Sequence, residues 1–312
     1  MFHQARHLWT AVATSVFLVL ALGYTYLVLT ASERTLPPIA TQRAIKADES
    51  ERWIFVGDVH GMYDEFQELM HRVDAEKPNT NVVLLGDFIA KGPQSSEMVQ
   101  YLLRNQNTTQ CVLGNHEINV LFAFLNQRGL KRKLSNRRTH WDPVVFSTED
   151  YIPPHDQVNN KHKKVAHELG GANLASLASL CSAELQIHLE ATNQTLLAVH
   201  AGIAPNYQDY PYPKVKDITT MKYMLPKDHT KTSKYKFKNS SRWYKLWDRE
   251  SAPEGVTVLY GHDAGRGLNL RKMTKGLDSG CVGGGKLTAL EYVYADGKYH
   301  EYLHHVNCRE FV

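Results

Sequence analysis

Short apolar runs recur along the chain, and each is followed directly by glycine or polar residues. The clearest runs are residues 53–56, 82–85, 111–113, 196–199 and 256–259. Runs of this length that are bounded by glycine are typical of buried strands. Helical stretches follow several of them, with one further helix expected around residues 165–180, and this alternation indicates an α/β fold.

A polar motif follows each of these runs. Polar groups at the carboxyl ends of strands in α/β folds converge on one site, so we expect the motifs to meet. A lone Asp after a strand is usually a turn or a cap, and a lone His is usually structural, so only the joint order indicates a site. The side chains concerned are Asp58, His60, Asp87, Asn115, His200 and His262.

These carboxylate, amide and imidazole groups are the ligands that a pair of divalent metal ions needs for phosphate ester hydrolysis. A dinuclear site holds its ions about 3.5–4 Å apart, with a bridging group and open positions for water and substrate. Asp58 and His60 are close enough in sequence to reach one ion, and Asp87 is the candidate bridge. His116, next to Asn115, is free to act as a general acid on the leaving oxygen.

The N-terminal part differs from the rest in composition. Residues 8–30 carry no charge, and about 20 apolar residues span a bilayer core. The run is longer than the apolar region of a cleaved signal peptide, so we predict a retained transmembrane anchor, with cleavage as the alternative. The predicted division is a tail at 1–7, the anchor, a linker at 31–50 and a catalytic domain at 51–312.

The flanking charges give the predicted orientation. His3, Arg6 and His7 precede the anchor and favour a cytoplasmic N-terminus. This predicts a single-pass type II membrane protein with its catalytic domain in a lumen or outside the cell. Glycosylation triplets begin at Asn107, Asn193 and Asn239. These triplets agree with a catalytic domain on the lumenal or extracellular side of the membrane, although such triplets also occur by chance.

The four cysteines are Cys111, Cys181, Cys281 and Cys308. None belongs to a CxxC pair, which argues against a zinc ribbon or a thioredoxin-like site. Burial as apolar side chains is the commoner fate of cysteine and is the favoured expectation. One or two disulfides in an oxidising compartment are the alternative.

The motifs and their order resemble the calcineurin-like metallophosphoesterase superfamily, in the branch shared by protein Ser/Thr phosphatases and bacterial diadenosine tetraphosphatases. Residues 57–61 match its GDxHG motif, residues 114–117 match GNHE, and His200 and residues 261–262 match two later histidine motifs. The resemblance covers roughly residues 52–303. It implies a four-layer α/β sandwich, in which helices flank two mixed β-sheets.

The same resemblance implies the roles of the site residues. The implied ligands of one ion are Asp58, His60 and Asp87, and those of the other are Asp87, Asn115, His200 and His262. Zinc is the expected metal, with manganese and cobalt as alternatives that suit the same ligands. The ions are expected to activate a bridging water to hydroxide, which attacks phosphorus. His116 matches the proton donor, and Lys91 and Arg266 are expected to stabilise charge on the phosphoryl oxygens.

Several positions depart from the protein phosphatase pattern. Lys91 replaces the phosphate-clamping Arg, so it offers a point charge without a bidentate fork. Ala90 replaces the Asp that orients the catalytic histidine, which leaves His116 without that partner unless Glu117 or another residue substitutes. Leu113 stands where those phosphatases carry Arg. These departures argue against phosphoprotein substrates and indicate a closer similarity to the diadenosine tetraphosphatases.

One subgroup joins these motifs to an N-terminal membrane anchor, namely the fungal vacuolar zinc-dependent endopolyphosphatases. Residues 88–89 with 91–93, and 260–263 with 266–268, are similar to that subgroup. The similarity implies inorganic polyphosphate as the substrate and the vacuolar membrane as the location. Dinucleoside tetraphosphates and phosphoproteins are the alternative substrates. A membrane-anchored polyanion-binding protein without turnover is the alternative of another class, and the intact ligand set argues against it.

The net charge of +4 says little about partners, but the basic residues are clustered. Eight basic residues and one acid lie between Lys222 and Lys245, and six basic residues without an acid lie in 128–138. A basic track beside the metals suits a polyphosphate chain, and a solvated lysine-rich loop is the alternative. Specific nucleic-acid binding is not expected, because no recognition motif is present. Both clusters fall in predicted long loops, at 128–164 and 206–245.

Overall fold

A computed structural model describes residues 14–23, 25, 39–125, 144–146, 158–209, 214–248 and 252–311. The chain divides into two compact units, Met1–Thr35 and Leu36–Val312. In the first unit, residues 14–23 are helical and exposed. Apart from residue 25, the rest of the predicted anchor at 8–30 lies outside the described residues. Within the described ranges, no helix is both long and apolar enough to cross a bilayer.

The described part of the second unit consists of two large sheets, a small sheet and several helices. Its strands are β1 (Ala40–Ala47), β2 (Arg52–Val56), β3 (Thr80–Leu84), β4 (Thr109–Cys111), β5 (Val144–Phe146), β6 (Ser182–Leu189), β7 (Gln194–Val199), β8 (Tyr223–Leu225), β9 (Asp228–Ser233), β10 (Ser241–Arg242), β11 (Val256–Tyr260), β12 (Asn269–Leu270), β13 (Thr274–Gly276), β14 (Lys286–Ala295) and β15 (Lys298–Asn307). Its helices are α1 (Tyr63–Arg72), α2 (Ser95–Arg104), α3 (Asn115–Leu125), α4 (Asn160–Leu180), α5 (Val215–Thr220) and α6 (Tyr244–Trp247).

One large sheet has five strands in the order β15-β14-β2-β3-β4. Strands β2, β3 and β4 run parallel, and β14 pairs antiparallel with β2. The other large sheet has the order β12-β13-β11-β7-β6-β1-β5 and also mixes parallel and antiparallel pairs. The predicted strands at 53–56, 82–85, 196–199 and 256–259 are β2, β3, β7 and β11, whereas the predicted run at 111–113 overlaps β4 only at Cys111. The predicted α/β fold with mixed sheets is confirmed.

The two faces of β2 show how the layers pack. Trp53 and Phe55 point to a buried cluster that also contains Ile187 of β6, so the two large sheets face each other there. Ile54 lies in a second cluster with Phe66 of α1, so helices cover the opposite face. Burial on both faces explains why the strands are continuous apolar runs in the sequence.

Two predicted boundaries differ from the structure. Strand β1 lies within the predicted linker at 31–50 and pairs along its length with β6, so the folded unit begins before residue 51. Residues 206–245, expected to be a long loop, contain α5 and the three-stranded sheet β10-β8-β9. The predicted helix at 165–180 is α4, which begins earlier because the Asn159 side chain caps its first turn.

All four cysteines form disulfides, Cys111–Cys181 and Cys281–Cys308. The favoured expectation of free, buried cysteines was therefore wrong, and the alternative of two disulfides holds. Cys111 ends β4 in the five-stranded sheet, and Cys181 directly precedes β6 in the seven-stranded sheet. The first disulfide therefore joins the two large sheets.

Candidate active site

The polar motifs from both large sheets meet. The motifs that follow β2, β3 and β4 come from one sheet, and those that follow β7 and β11 come from the other. The main-chain N–H of His262 donates to Asp58 Oδ1 at 3.0 Å. His200 Nε2 lies 3.3 Å from Asp87 Oδ2. The structure therefore brings together the motifs whose convergence the sequence predicts.

Asp87 lies at the centre of the cluster and is only 3% exposed. Its Oδ2 lies 3.3 Å from His200 Nε2, 3.8 Å from His60 Nε2 and 4.0 Å from His116 Nε2. Its Oδ1 accepts a hydrogen bond from the main-chain N–H of His116 at 2.8 Å. A carboxylate with ring nitrogens on several sides is well placed to bridge two cations.

Three of the site histidines each hold one ring nitrogen against a main-chain carbonyl. The pairs are His60 Nδ1 with Ile89 at 3.4 Å, His200 Nδ1 with Leu85 at 2.9 Å, and His262 Nε2 with Thr220 at 3.2 Å. A carbonyl only accepts, so the nitrogen bonded to it carries the hydrogen. In its neutral form each ring therefore has its lone pair on the other nitrogen, which faces the cluster as a metal ligand requires.

Two overlapping groups of side chains have the geometry to hold a metal ion. They are His60, Asp87 and His116, and Asp87, His200 and His262, with ligand atoms within 4.8 Å of one another in each group. Asn115 Oδ1 lies 3.3 Å from His200 Nε2 and adds an oxygen to the second group. Asp58 Oδ2 lies 3.8 Å from His60 Nε2 and adds one to the first. The donor set therefore fits two divalent ions that share Asp87.

The buried charges support this fit. Burial raises the pKa of Asp58, and the nearby Asp278 raises it further. Burial lowers the pKa of His200, but the charges of Asp87 and Asp58 outweigh burial and raise it to about 10. Clustered buried carboxylates are costly unless a positive charge compensates them, and bound divalent cations would do so.

Asp278 is a buried carboxylate beside the cluster that was not predicted from the sequence as a site residue. It is 5% exposed, and burial raises its pKa. Its Oδ1 accepts a hydrogen bond from the main-chain N–H of Gly280 at 3.1 Å. Asp278 closely follows strand β13, as the other motif residues follow theirs, and this placement is the signal that could have identified it.

Two glycines permit the close approach of the motifs. A Cβ atom at Gly114 would collide with the Asp87 carboxylate, and one at Gly261 would collide with the Asp58 carboxylate. Any larger residue would therefore push a ligand out of place. This explains why glycine precedes Asn115 and His262.

Glu117 is fully buried and links the motif that follows β3 to the motif that follows β4. Its carboxylate accepts hydrogen bonds from the main-chain N–H groups of Asp87 at 2.7 Å, Ile89 at 3.0 Å and Gly114 at 2.8 Å. Burial and then the Asp87 charge raise its pKa to about 7. Both oxygens are occupied by the main chain, so Glu117 does not substitute for the missing Asp beside His116.

The partner of His116 Nδ1 is His162, which was not predicted from the sequence. His116 Nδ1 lies 2.9 Å from His162 Nε2. His162 is 3% exposed and lies in the first turn of α4, 46 positions further along the chain. No sequence motif surrounds it, so only the packing of α4 against α3 reveals the pair.

Lys91 lies at one side of the cluster. Its Nζ is 2.7 Å from His60 Nε2. Ala90 and Lys91 have φ angles of 67° and 63°, so the chain turns sharply after β3 and directs the lysine to the ligands. The position fits the predicted role in binding phosphoryl oxygens, which stays a prediction.

Two further cations lie beside the motif that contains His262. Lys222 Nζ and Arg242 Nη1 bond the two carboxylate oxygens of Asp263, at 2.9 and 2.6 Å. Asp263 directly follows the ligand His262. Arg266, by contrast, is exposed and donates to Asn269 at 3.4 Å. Among the described residues no contact links Arg266 to the metal ligands, and its phosphate-binding role stays a prediction.

Comparison with known proteins gives relatives that share most of the chain. The chain is 40% identical over 284 residues to the zinc-dependent endopolyphosphatase of Saccharomyces cerevisiae, covering 88% of this chain and 86% of that protein. It is 28% identical over 261 residues to the symmetrical bis(5'-nucleosyl)-tetraphosphatase of Baumannia cicadellinicola, covering 76% and 88% of the two chains. The solved structure of a candidate diadenosine tetraphosphatase superposes with a TM-score of 0.61 at 21% identity, covering 86% of this chain and 98% of that chain.

The family itself is also matched directly. Residues 52–291 match the calcineurin-like phosphoesterases, a range that contains every candidate metal ligand. Asp58 and His262, the first and last of these ligands along the chain, are joined by a hydrogen bond between the two sheets. The chain therefore belongs to the calcineurin-like phosphoesterase family and is a metal-dependent hydrolase of phosphate bonds.

Proposed function

We propose that the protein is an endopolyphosphatase that cleaves the phosphoanhydride bonds of inorganic polyphosphate. The observation that carries the proposal is the placement of positive charge beside two of the candidate ligand motifs, those of His60 and His262. Lys91 contacts His60, and Lys222 and Arg242 flank the residue after His262. A chain of phosphates that crosses the cluster would meet a cation on both sides of the bond being cut. The 40% identity to a zinc-dependent endopolyphosphatase supports the same substrate.

The residues of the site have separable roles in this reaction. When bound, the two metal ions supply Lewis-acid activation of water and neutralise charge on the phosphoryl group. Asp58, His60 and Asp87 would hold one ion, and Asp87 with Asn115, His200 and His262 would hold the other. The Lys91 ammonium would bind oxygens of the phosphoryl group that is cleaved. His116 Nε2, 4.0 Å from Asp87 Oδ2, faces the cluster and would contact the leaving oxygen.

A dinucleoside tetraphosphatase is the second candidate. It is supported by the identity to the bacterial symmetrical tetraphosphatase, which covers 76% of this chain. Both substrates are phosphoanhydrides, so the metal cluster alone does not separate them. A tetraphosphate with a nucleoside at each end is short, however, and leaves the basic residues between Lys222 and Lys245 with little to bind.

A parallel assay separates the candidates. The full-length chain is loaded with zinc, manganese or cobalt and given long polyphosphate, diadenosine tetraphosphate or a phosphoserine peptide. We expect the highest kcat/KM on long polyphosphate, with zinc supporting activity. Faster turnover of diadenosine tetraphosphate would assign the second function, and preference for the phosphopeptide would overturn both.

We also propose that the protein is a single-pass type II membrane protein with a lumenal catalytic domain, at the vacuolar membrane. The uncharged stretch 8–30 supports an anchor. Two disulfides in the catalytic unit agree with an oxidising compartment. The sequon residues Asn107, Asn193 and Asn239 are all exposed. In sealed vesicles the catalytic unit should resist added protease and lose mass on deglycosylation, and digestion from the cytoplasmic side would contradict this topology.

A further inference from the structure

His116 is held differently from the other histidines of the site. The others bond a main-chain carbonyl, whereas His116 Nδ1 lies 2.9 Å from a ring nitrogen of His162. The two rings are 5.0 Å apart between centroids. The His116 side chain is 17% exposed and His162 is 3% exposed, so the contact is largely shielded from water.

The main chain sets the direction of this hydrogen bond. The Asn159 N–H donates to His162 Nδ1 at 3.2 Å, as part of the capping box that begins α4. A main-chain N–H only donates, so His162 Nδ1 has no hydrogen and the neutral ring carries its hydrogen on Nε2. His162 Nε2–H therefore donates to His116 Nδ1. His116 in turn carries its hydrogen on Nε2, the nitrogen that faces Asp87.

We propose that His162 is a positioning residue that holds His116 as the neutral Nε2–H tautomer, directed at the leaving oxygen of a phosphoanhydride. The proposal deepens the proposed function and rests on it. In the protein phosphatases that this chain resembles, an Asp stands at the position of Ala90 and orients the histidine that corresponds to His116. A carboxylate accepts from Nδ1–H, so it favours a ring that is protonated on both nitrogens when Nε2 also donates. His162 imposes the opposite direction.

The direction of the bond has a consequence for the leaving group. A neutral imidazole donates a hydrogen bond readily but gives up its proton poorly. When the bond between phosphorus and the bridging oxygen breaks, the electron pair goes to that oxygen. A departing phosphate is stable as an anion and needs only the hydrogen bond from His116, whereas a departing alkoxide or phenoxide needs a proton. The pair of histidines therefore favours phosphoanhydrides over phosphate esters.

Gln and Glu have nearly the same shape, but at position 162 they have opposite effects on the hydrogen bond to His116: Gln keeps its direction and Glu reverses it. His162 occupies the third position of α4, where Gln and Glu both complete a capping box by accepting from the N-cap N–H. In His162→Gln the amide N–H₂ is still able to donate to His116 Nδ1. In His162→Glu both oxygens only accept, so His116 Nδ1 must carry a hydrogen. His162→Leu removes the contact altogether.

The first measurement is nitrogen NMR of isotope-labelled histidine in the zinc-loaded, full-length chain, with His116→Ala used to assign the signal. We expect the Nε2–H tautomer of His116 in the unchanged protein and in His162→Gln, and a hydrogen on Nδ1 in His162→Glu. An Nδ1 hydrogen in the unchanged protein, or the same tautomer in the Gln and Glu variants, would overturn the proposal. This readout needs no substrate, so it is independent of whether polyphosphate is the substrate.

The second measurement is kcat on tripolyphosphate and on phenyl phosphate, with KM and bound zinc measured for each variant. We expect His162→Gln to keep the ratio of the two kcat values and His162→Glu to shift it about tenfold or more towards the ester. KM and zinc content should stay constant. Equal losses on both substrates in the Glu variant would show a merely structural role. Absence of turnover on every phosphoanhydride in the unchanged protein would overturn the proposed function, while the tautomer result would still decide the role of His162.

A double-mutant cycle guards against folding effects. If His162 acts through His116, then His162→Leu should lower kcat on tripolyphosphate in the unchanged protein but have no effect when His116→Ala is already present. Additive losses would mean that His162 acts elsewhere and would overturn the proposal.

Discussion

Asp87 is the single side chain on which the metal site depends most. Its carboxylate contacts three imidazoles and lies between both candidate ion positions. Asp87→Asn should lose at least one metal ion per chain and nearly all activity, because a neutral amide bridges two cations poorly. Elemental analysis with an activity assay tests this. Asp296→Asn, in the exposed β14–β15 turn, serves as the control, and two bound metals with full activity in Asp87→Asn would contradict the assignment.

At the same scale, the sequence predicts ligands better than it predicts what supports them. Asp58, Asp87 and His200 follow apolar strands directly, so their convergence follows from the strand pattern. The partner of His116 lies in a helix that no motif marks, so it depends on how α4 packs against α3. Asp278 closely follows a strand of only three residues, which is too short to give a clear apolar run.

Substitution of the clustered lysines tests the role of residues 206–245, which were predicted from the sequence to be a long loop. Lys231, Lys234, Lys236 and Lys238 lie on or after β9 and contact none of the candidate ligands among the described residues. Changing all four to Gln should raise KM for long polyphosphate and weaken its salt dependence, because fewer counterions are exchanged on binding. Tripolyphosphate, which is too short to span the small sheet, should be cut as before.

The control for this set removes the same charge elsewhere. Changing the exposed Lys46, Lys77, Lys272 and Lys298 to Gln lowers the net charge equally. We expect little change in KM for long polyphosphate in that variant. Equal rises in KM for both sets would mean that net charge alone matters, and loss on tripolyphosphate in the first set would indicate misfolding.

Strand β6 carries a buried carboxyl group, Glu184, whose titration should make the free energy of unfolding depend on pH. Burial raises the pKa of Glu184 from 4.5 to about 6, against hydrogen bonds from Gln186 and Gln42 that lower it. The neutral form is favoured in the folded state, so its stabilisation is complete below pH 4.5 and is lost as pH rises through about 6. Glu184→Gln should therefore stabilise the protein above that pH by about 2 kcal/mol and have little effect below pH 4.5.

Thermal unfolding across this pH range measures the effect. Glu190→Gln is the matched control, because Glu190 is exposed and its ion pair with Lys46, at 2.9 Å, lies at the surface, where such pairs contribute little to stability. A gain for Glu184→Gln that is the same at every pH would show that burial of the charge is not its cause.

Four of the motif-bearing strands, β2, β3, β7 and β11, were predictable at the scale of elements because they are largely buried and read as apolar runs. Strand β1 was not predictable, because it contains the polar residues Gln42, Arg43 and Lys46 and follows Pro37 and Pro38, so its sequence resembles a linker. Strand β8 has only three residues and β9 and β10 are polar, so none of them gives a clear apolar run in the sequence.

For the whole molecule, the Cys111–Cys181 disulfide is the strongest covalent constraint near the site. It closes a loop of 70 positions and joins the two large sheets. Replacing both cysteines by alanine should destabilise the chain by about 4 kcal/mol on the loop-entropy estimate. Urea unfolding of the full-length chain measures this, with Cys281→Ala/Cys308→Ala as the comparison for a loop of 27 positions. Free thiols in the unchanged protein under denaturing, non-reducing conditions would contradict both bonds.

The most direct test of polyphosphate cleavage is phosphorus NMR of long polyphosphate during digestion by the zinc-loaded, full-length chain. Each internal cut creates two new terminal phosphates, so we expect the terminal signal to grow early while orthophosphate stays low. Asp87→Asn should abolish both changes. Orthophosphate release from the outset would instead indicate cleavage from the chain ends. An unchanged polyphosphate spectrum, from enzyme that consumes diadenosine tetraphosphate in the same tube, would contradict the proposed substrate.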